Sequence, residues 1–462
     1  MTRRGGPGAV LRGVLPRDRV RTDAATLLVH ECDGLTLYRE RPDAVVYPES
    51  TAEVAACVAA LARAGIPIVP RGSGTGLAGG ARPCQGGVVV DLARMDRVLG
   101  VDADARVAHV EAGVTNARVS VAAAPAGLFY APDPSSQVAC TIGGNVACGA
   151  GGPHCLRYGT TTDHVAAVLL VDAAGEVHRV EDESLLGLVV GSEGTLGVVT
   201  EAWLRLLPLP GDVATLLLSF ASMDEACAAV KAILDEGFVP AALEILDRRA
   251  VHAVEDSVFA AGYPREAAAV LLVEVDGARE EVAEAAAWIE ARWGGRRARD
   301  AAEREALWRG RKGAFGALGR LGDECYVMDC VVPRARMAEA LRGIDAVAER
   351  RGLVCVNVFH AGDGNLHPLL AYDRADAANV QEAGREIAEI CVGLGGSLTG
   401  EHGIGVEKRD FMPLLFDEAT LGAMERVRRA FDPDRILNPG KVLPGPKVCA
   451  EAVRRADAKR II

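Results

Sequence analysis

PDPSSQVACTIGGNVACGAGGPHCLRYGTTTDHV, residues Pro132–Val165, decides how the rest of the chain is read. It carries Gly143, Gly144, Gly149, Gly151, Gly152 and Gly159 and almost no charge. For most of its length it offers neither helix caps nor the apolar alternation of a strand. Structureless loops longer than about 12–15 residues are mostly functional or disordered. Disorder would bring Lys and Glu in number, and neither occurs here. The expectation is an ordered binding wall, its backbone N–H groups closing on something flat and anionic.

Upstream, Ala44–Tyr47 reads as a strand, Ser50-Thr51-Ala52-Glu53 as a capping box, and Val54, Val58 and Leu61 as a helical stripe ending at Gly65. The strand Ile66–Val69 follows, then Pro70-Arg71-Gly72-Ser73-Gly74-Thr75-Gly76-Leu77-Ala78-Gly79-Gly80. Gly74, Gly76 and Gly79 match the dinucleotide fingerprint, and Asp91 ends a later strand, Val88–Leu92. A Rossmann unit needs a helix that starts at those glycines. Residues 81–87 read ARPCQGG, which allows none, so the loop is read as a nest of amides around a pyrophosphate. Downstream, after strand Arg106–Glu111 and helix Asn116–Ala124, come strands Ala166–Asp172 and Val177–Val180. A third glycine loop, GSEGTLGVVT at 191–200, runs into Val199–Leu206, and Pro208 and Pro210 mark a boundary.

With 462 residues, two domains are expected. Hydrophobic residues make up 50% and charged residues 25%, the balance of a globular α/β-type chain. A net charge of −12 argues against a nucleic-acid partner, whose phosphates demand a basic footprint. No apolar run is long enough to span a bilayer. The 12 cysteines include no C-x-x-C, which fits reduced cytoplasmic thiols and excludes an iron–sulfur cluster of the usual spacing. The Arg-rich start, MTRRGGPGAVLRGVLPRDRVR, is broken by Gly and Pro and reads as a frayed basic tail, followed by a short helix near Ala24–Glu31.

Beyond Val213, strands alternate with helices: Thr215–Phe220, Met223–Glu236, Leu243–Leu246, Val270–Val275, Ala278–Trp293, Cys325–Val332, Met337–Arg351 and Leu353–Phe359. This pattern predicts an antiparallel sheet covered by helices. At its end stands His360-Ala361-Gly362-Asp363-Gly364-Asn365-Leu366-His367. With Asp363-Gly364 as a two-residue turn, His360 would lie directly opposite His367, close enough for both imidazoles to reach one ion. Gly400-Glu401-His402-Gly403-Ile404-Gly405 offers a third ligand, and two His with one Glu leave an open position on a zinc-like cation.

RGSGTGLAGG, the PDPSS…TIGGNVA…GG…YG.T.DHV run and GSEGTLGVVTEA together resemble the flavin-binding domain of the vanillyl-alcohol oxidase or PCMH type. His360-x-Gly-Asp-Gly-Asn-x-His367, GEHGIG and Asn438-Pro439-Gly440-Lys441 narrow the resemblance to the flavin-dependent D-2-hydroxyacid dehydrogenases. That group holds the glycolate oxidase flavin subunit, D-lactate dehydrogenase and D-2-hydroxyglutarate dehydrogenase. HCLRYG at 154–159 and LWRGRKGAF at 307–315 are most similar to the first.

The resemblance implies an α+β chain: an N-terminal tail and helix (1–37), a PCMH-type FAD domain (38–210), an antiparallel-sheet cap with a helical C-terminal segment (211–446) and a tail (447–462). FAD would be lined by Pro70, Arg71, Gly72, Ser73, Gly74, Thr75, Gly76, Pro132, Asp133, Ser135, Thr141, Gly143, Gly144, Asn145, Ala150, Gly151, Gly152, Tyr158, Gly159, Glu193, Gly194, Gly197, Val198, Val199 and Asn438. The first loop lacks the His that covalent members use, so FAD should be dissociable. His360, His367 and Glu401 would hold a divalent metal, zinc by expectation, with His402 as base. Arg311 would clamp the substrate carboxylate, its other reading being an exposed helix charge. Hydride would pass to the flavin while the ion lowers the pKa of the hydroxyl.

Relatives acting on a dicarboxylate carry Lys where Val327 stands, which disfavours 2-hydroxyglutarate. His367-Pro368-Leu369 replaces the family's HisProAsn and removes a polar group near the substrate. The implied reaction is oxidation of glycolate or D-lactate, with electrons leaving to an iron–sulfur or other electron-transfer subunit, or to quinone. A cytoplasmic protein, peripheral at the inner membrane face through such a partner, fits, as does a homodimer. A non-redox flavin synthase of the alkyl-glycerone-phosphate type would share the flavin domain but need a lipid tunnel.

Overall fold

The computed structural model describes residues 6–445, in two units. Unit one holds the chain up to Ala150, Thr160–Pro208 and Glu401 onward; unit two holds Gly151–Gly159 and Leu209–Gly400. The break after Pro208 lies where the proline pair predicts it. Two segments expected elsewhere change sides: 151–159 packs with unit two, and the chain from Glu401 packs with unit one rather than with the cap.

In unit one, Ala44–Val46 and Ile68–Arg71 both run parallel to Val88–Asp91, with Val20–Arg21 on the outer edge. The helix Thr51–Ala64 joins the first two. Ser50 Oγ accepts from Glu53 N at 3.3 Å, and Gly65 closes the helix in the left-handed conformation. The next parallel crossover, residues 72–87, contains no helix, as the Pro- and Gly-rich sequence requires. A second, antiparallel sheet orders Val98–Asp102, Val107–Glu111, Val198–Arg205, Val165–Val171 and Val177–Val180. Its core closes with Val119, Ile142, Val146 and Leu186 from three helices.

Two expectations for unit one are corrected. From residue 6 on, the N-terminal stretch is no frayed tail, residues 1–5 lying outside the described part: Pro7–Leu11 is helical, and Leu11 and Leu15 are buried beside Val54, Val58 and Leu61. Four apolar residues spaced through an Arg-rich stretch outweigh its basic character. Nor is the Pro132–Val165 run structureless. Thr141 caps a helix, Ile142–Cys148, which Gly149 closes in the left-handed conformation. Gly143 is there for close approach, since a Cβ would lie 2.7 Å from that of Ala112.

Unit two is built on a sheet in the order Arg296–Arg297, Asp212–Phe220, Ala269–Gly277, Ala242–Asp247, Val354–His360, Asn365–Leu366, Cys330–Val331, with Pro368–Tyr372 pairing both Val354–Asn357 and Glu324–Val327. Its pairings are antiparallel, as the strand–helix alternation predicts. The hairpin register differs from expectation: His360 pairs with Asn365, leaving a four-residue turn, Ala361–Gly364. A two-residue type I′ turn needs positive φ at both central residues. Gly364 has φ 81°, but Asp363 is absent from the positive-φ residues, and its carboxylate instead accepts from Asn365 N at 3.1 Å. Among the described residues no helix is long and apolar enough to cross a membrane.

Candidate active site

The first glycine loop of unit one has the character expected of an anion nest. Among the described residues, the backbone N–H groups of Ser73–Gly80 have no protein acceptor, and most of the loop is half-buried. Ser73 Oγ donates to Ala139 O at 2.5 Å, and Arg71 donates to Cys32 O at 2.8 Å, which hold the loop in place. A run of amides without protein acceptors fits the pyrophosphate of a dinucleotide.

The second glycine run is built differently. Ile142 N and Gly143 N donate to Val114 O and Ala112 O, both at 2.8 Å, and Gly144 N reaches Thr141 Oγ1. Asn145 takes a hydrogen bond from Asn116 Nδ2, which also donates to Pro132 O. These amides serve the protein's own packing, so Thr141, Gly143, Gly144 and Asn145 form a framework against which a ring system can lie. Ala150 O accepts from Thr161, Gly197 packs on Leu170, and Gly194 on Pro70. Val198 and Val199 are buried in the following strand, while Pro132 is buried and Asp133 and Ser135 are half-buried. Gly151, Gly152, Tyr158 and Gly159 belong to unit two. There Tyr158 Oη donates to Asp276 and Gly152 N to Cys155 Sγ.

Glu193 and Asn438 join three motifs within unit one. Glu193 Oε1 and Oε2 accept from Ile404 N at 2.7 Å and Gly405 N at 2.8 Å. Asn438 Nδ2 donates to Gly80 O and Glu193 O, and its Oδ1 accepts from buried Lys441 at 2.8 Å. Burial pushes the Glu193 carboxyl up to about 7 although those two amides pull it down. Glu401 and His402 precede this turn, their side chains 3.6 Å apart.

Unit two assembles the remaining predicted groups. The helix Ala301–Ala317 places Arg304, Trp308, Arg311 and Phe315 on one face. Arg304 and Trp308 reach Glu274, and Arg311 Nη2 lies 2.6 Å from Glu244 Oε2. Arg311 and Glu244 are both fully buried, so Arg311 is no exposed helix charge. Its Nε and Nη1 are buried without a hydrogen-bond partner. His360 Nδ1 donates to Glu244 at 2.8 Å, and His367 Nδ1 to Met328 O at 3.2 Å.

In the observed register His367 falls opposite Val358, two residues from His360 on the same face. That diagonal still brings the rings together, with centroids 5.0 Å apart and planes perpendicular. A carboxylate and a carbonyl can only accept, so each Nδ1 carries a proton, which in a neutral ring leaves the lone pair on Nε2. This is the arrangement in which imidazoles ligate a cation. Asp329 accepts from Thr399 and, at 3.1 Å, from Gly400 N, fixing the chain directly before Glu401.

Glu244 and Asp329 are the groups that reading the sequence did not single out. Glu244 had a visible signal, an acid set among apolar residues in the strand Ala242–Asp247; Asp329 had none.

Against this geometry stand the comparisons with known proteins. The family model "FAD linked oxidases, C-terminal domain" matches residues 209–442, and "FAD binding domain" matches residues 42–181. The chain belongs to the FAD-linked oxidases. This oxidase is 43% identical to glycolate oxidase subunit GlcD of Escherichia coli over 92% of its own length and 88% of the relative. It is 34% identical to D-lactate dehydrogenase of Anaerostipes hadrus, covering 89% and 91%. The solved structure of p-cresol methylhydroxylase superposes with a TM-score of 0.78 at 17% identity, covering 94% and 96%, and shares the fold. The α+β architecture of the oxidase, a flavin-binding part and a part with a large antiparallel sheet, is thus that of the PCMH type.

Proposed function

We propose that this FAD-linked oxidase oxidises a small D-2-hydroxy acid, glycolate or D-lactate, to the 2-oxo acid. The observation that carries the reading is Arg311. A guanidinium inside a core, paired on one nitrogen only and beside His360, calls for a second anion. A carboxylate would take the open Nε and Nη1 donors in a fork, the geometry a guanidinium favours. Glu244 orients both Arg311 and His360, so clamp and ligand move as one piece.

His360 and His367, with Glu401 following the anchored Gly400, would hold a divalent cation, zinc by donor type. Such an ion supplies Lewis acidity that lowers the pKa of the substrate hydroxyl. His402 would accept the hydroxyl proton. FAD, bound non-covalently on the Gly72–Gly80 nest, supplies the two-electron acceptor. Electrons would then leave to an iron–sulfur or other partner subunit, or to quinone. Buried, apolar Val327 supports a small monocarboxylate over 2-hydroxyglutarate.

Anaerobic mixing of the yellow protein with D- and L-2-hydroxy acids tests the reading. Glycolate or D-lactate should bleach the flavin within the enzyme's turnover time, while L-lactate and NADH should not. Bleaching by NADH alone would overturn it.

A further inference from the structure

Glu193 stands where the glycine motifs of unit one meet. Its backbone is left-handed, φ 53°, a conformation that a non-glycine residue keeps only where its surroundings hold it. Here they do. Glu193 N donates to Ala147 O at 2.7 Å, its carbonyl accepts from Asn438, and its carboxylate takes the amides of Ile404 and Gly405. Those are the second and third peptide groups after His402. Gly403, φ 84°, allows this approach, because a Cβ there would lie 2.8 Å from Glu193 Oε1. On its other side the turn rests on the first glycine loop, where Val406 N donates to Ala78 O at 2.8 Å.

We infer that Glu193 is a positioning residue for the oxidation: its carboxylate grips the Gly403–Gly405 turn and thereby fixes the imidazole of His402. The inference rests on the proposed role of His402 as base. Neither oxygen of Glu193 is available to substrate, so the effect passes through the turn. Displacing a catalytic group by about 1 Å can cost 10²-fold in rate.

The test is flavin reduction by glycolate and by D-lactate, read on the FAD-loaded fraction of Glu193→Gln. Gln keeps the size and one acceptor oxygen but turns an NH2 toward one of the two amides. The limiting reduction rate should fall about 100-fold while the acid concentration giving half that rate stays unchanged. If loaded Glu193→Gln is reduced at the wild-type rate and only FAD content or melting temperature drops, Glu193 is merely structural and the inference falls. Should that variant fail to fold, Gly403→Ala decides, because it pushes the turn off an intact carboxylate. It should give the same fall in rate at unchanged half-saturation, and a wild-type rate would overturn the inference. His402→Ala separates the two claims. Wild-type reduction there removes the base itself, whereas slow His402→Ala beside fast Glu193→Gln removes only the positioning role.

Discussion

Arg311 can keep its charge inside unit two because Glu244 lies 2.6 Å away, yet one carboxylate oxygen occupies one nitrogen of a three-nitrogen fork. Two outcomes follow at this scale. Arg311→Lys replaces a planar fork with a point charge that cannot serve Glu244 and a second carboxylate together. Steady-state kinetics should show kcat/KM lower by about 100-fold or more, with most of the loss in KM, a drop that corresponds to about 2.7 kcal/mol. Glu244→Gln leaves a buried cation without its counter-ion, for which the expected loss of stability is about 3–5 kcal/mol. Chemical denaturation of the FAD-loaded protein reads that change, and an unaltered midpoint would show that Glu244 and Arg311 do not rely on each other.

Elements were legible where pattern and propensity agreed. The helix Thr51–Ala64 ends at its cap residues as read, and the central strand Val354–His360 lies within one residue of its expected span. The helix Ile142–Cys148 was hidden because its sequence, IGGNVAC, holds two glycines, each costing about 1 kcal/mol in a helix. Packing against Ala112 and the Thr141 cap override that propensity. The histidine hairpin was misread by two positions because Asp363 caps the turn rather than entering the left-handed region. The two rings nonetheless meet diagonally, so the pairing survived the wrong register.

Asp247 belongs to this scale too. It caps the helix Arg248–Glu255 through Ala250 N and accepts from Asn357 N on the neighbouring strand, at 2.8 and 2.7 Å. Burial pushes its carboxyl up to about 6, against 3.8 for the free group, with Asp345 adding to the rise. A raised carboxyl binds its proton more tightly folded than unfolded. Its contribution is therefore full below about pH 4 and lost as pH climbs through 6. Asp247→Asn removes the titration, so its stability relative to wild type should improve by on the order of 1–3 kcal/mol between pH 4 and 7. Parallel pH curves for the two proteins would contradict the assignment.

On the scale of the whole molecule, composition bounded the class, and the motifs placed the flavin-binding part. Chain order concealed the rest. The chain passes between the units after Ala150, Gly159, Pro208 and Gly400, so the HCLRYG segment and the GEHGIG turn each sit with a unit other than their sequence neighbours suggest. Apart from Pro208, where the proline pair stands, no composition shift marks those crossings, because each joins one ordered glycine-rich stretch to another. Contacts distant in sequence, such as Glu193 with Ile404 and Tyr158 with Asp276, are what bind these segments, and one sequence alone cannot display them.

The proposal that bears most weight is that His360 and His367 would help hold a cation which, with Arg311, would prepare a 2-hydroxy acid for oxidation by FAD. The most direct test is the anaerobic rate of flavin bleaching by D-lactate or glycolate in FAD-replete protein. It is measured before metal removal, after removal verified by elemental analysis, and after zinc is returned. Rapid bleaching should be lost, by about 100-fold or more, on removal and should recover with zinc at about one equivalent per chain. Bleaching at the original rate in protein verified as metal-free would contradict it.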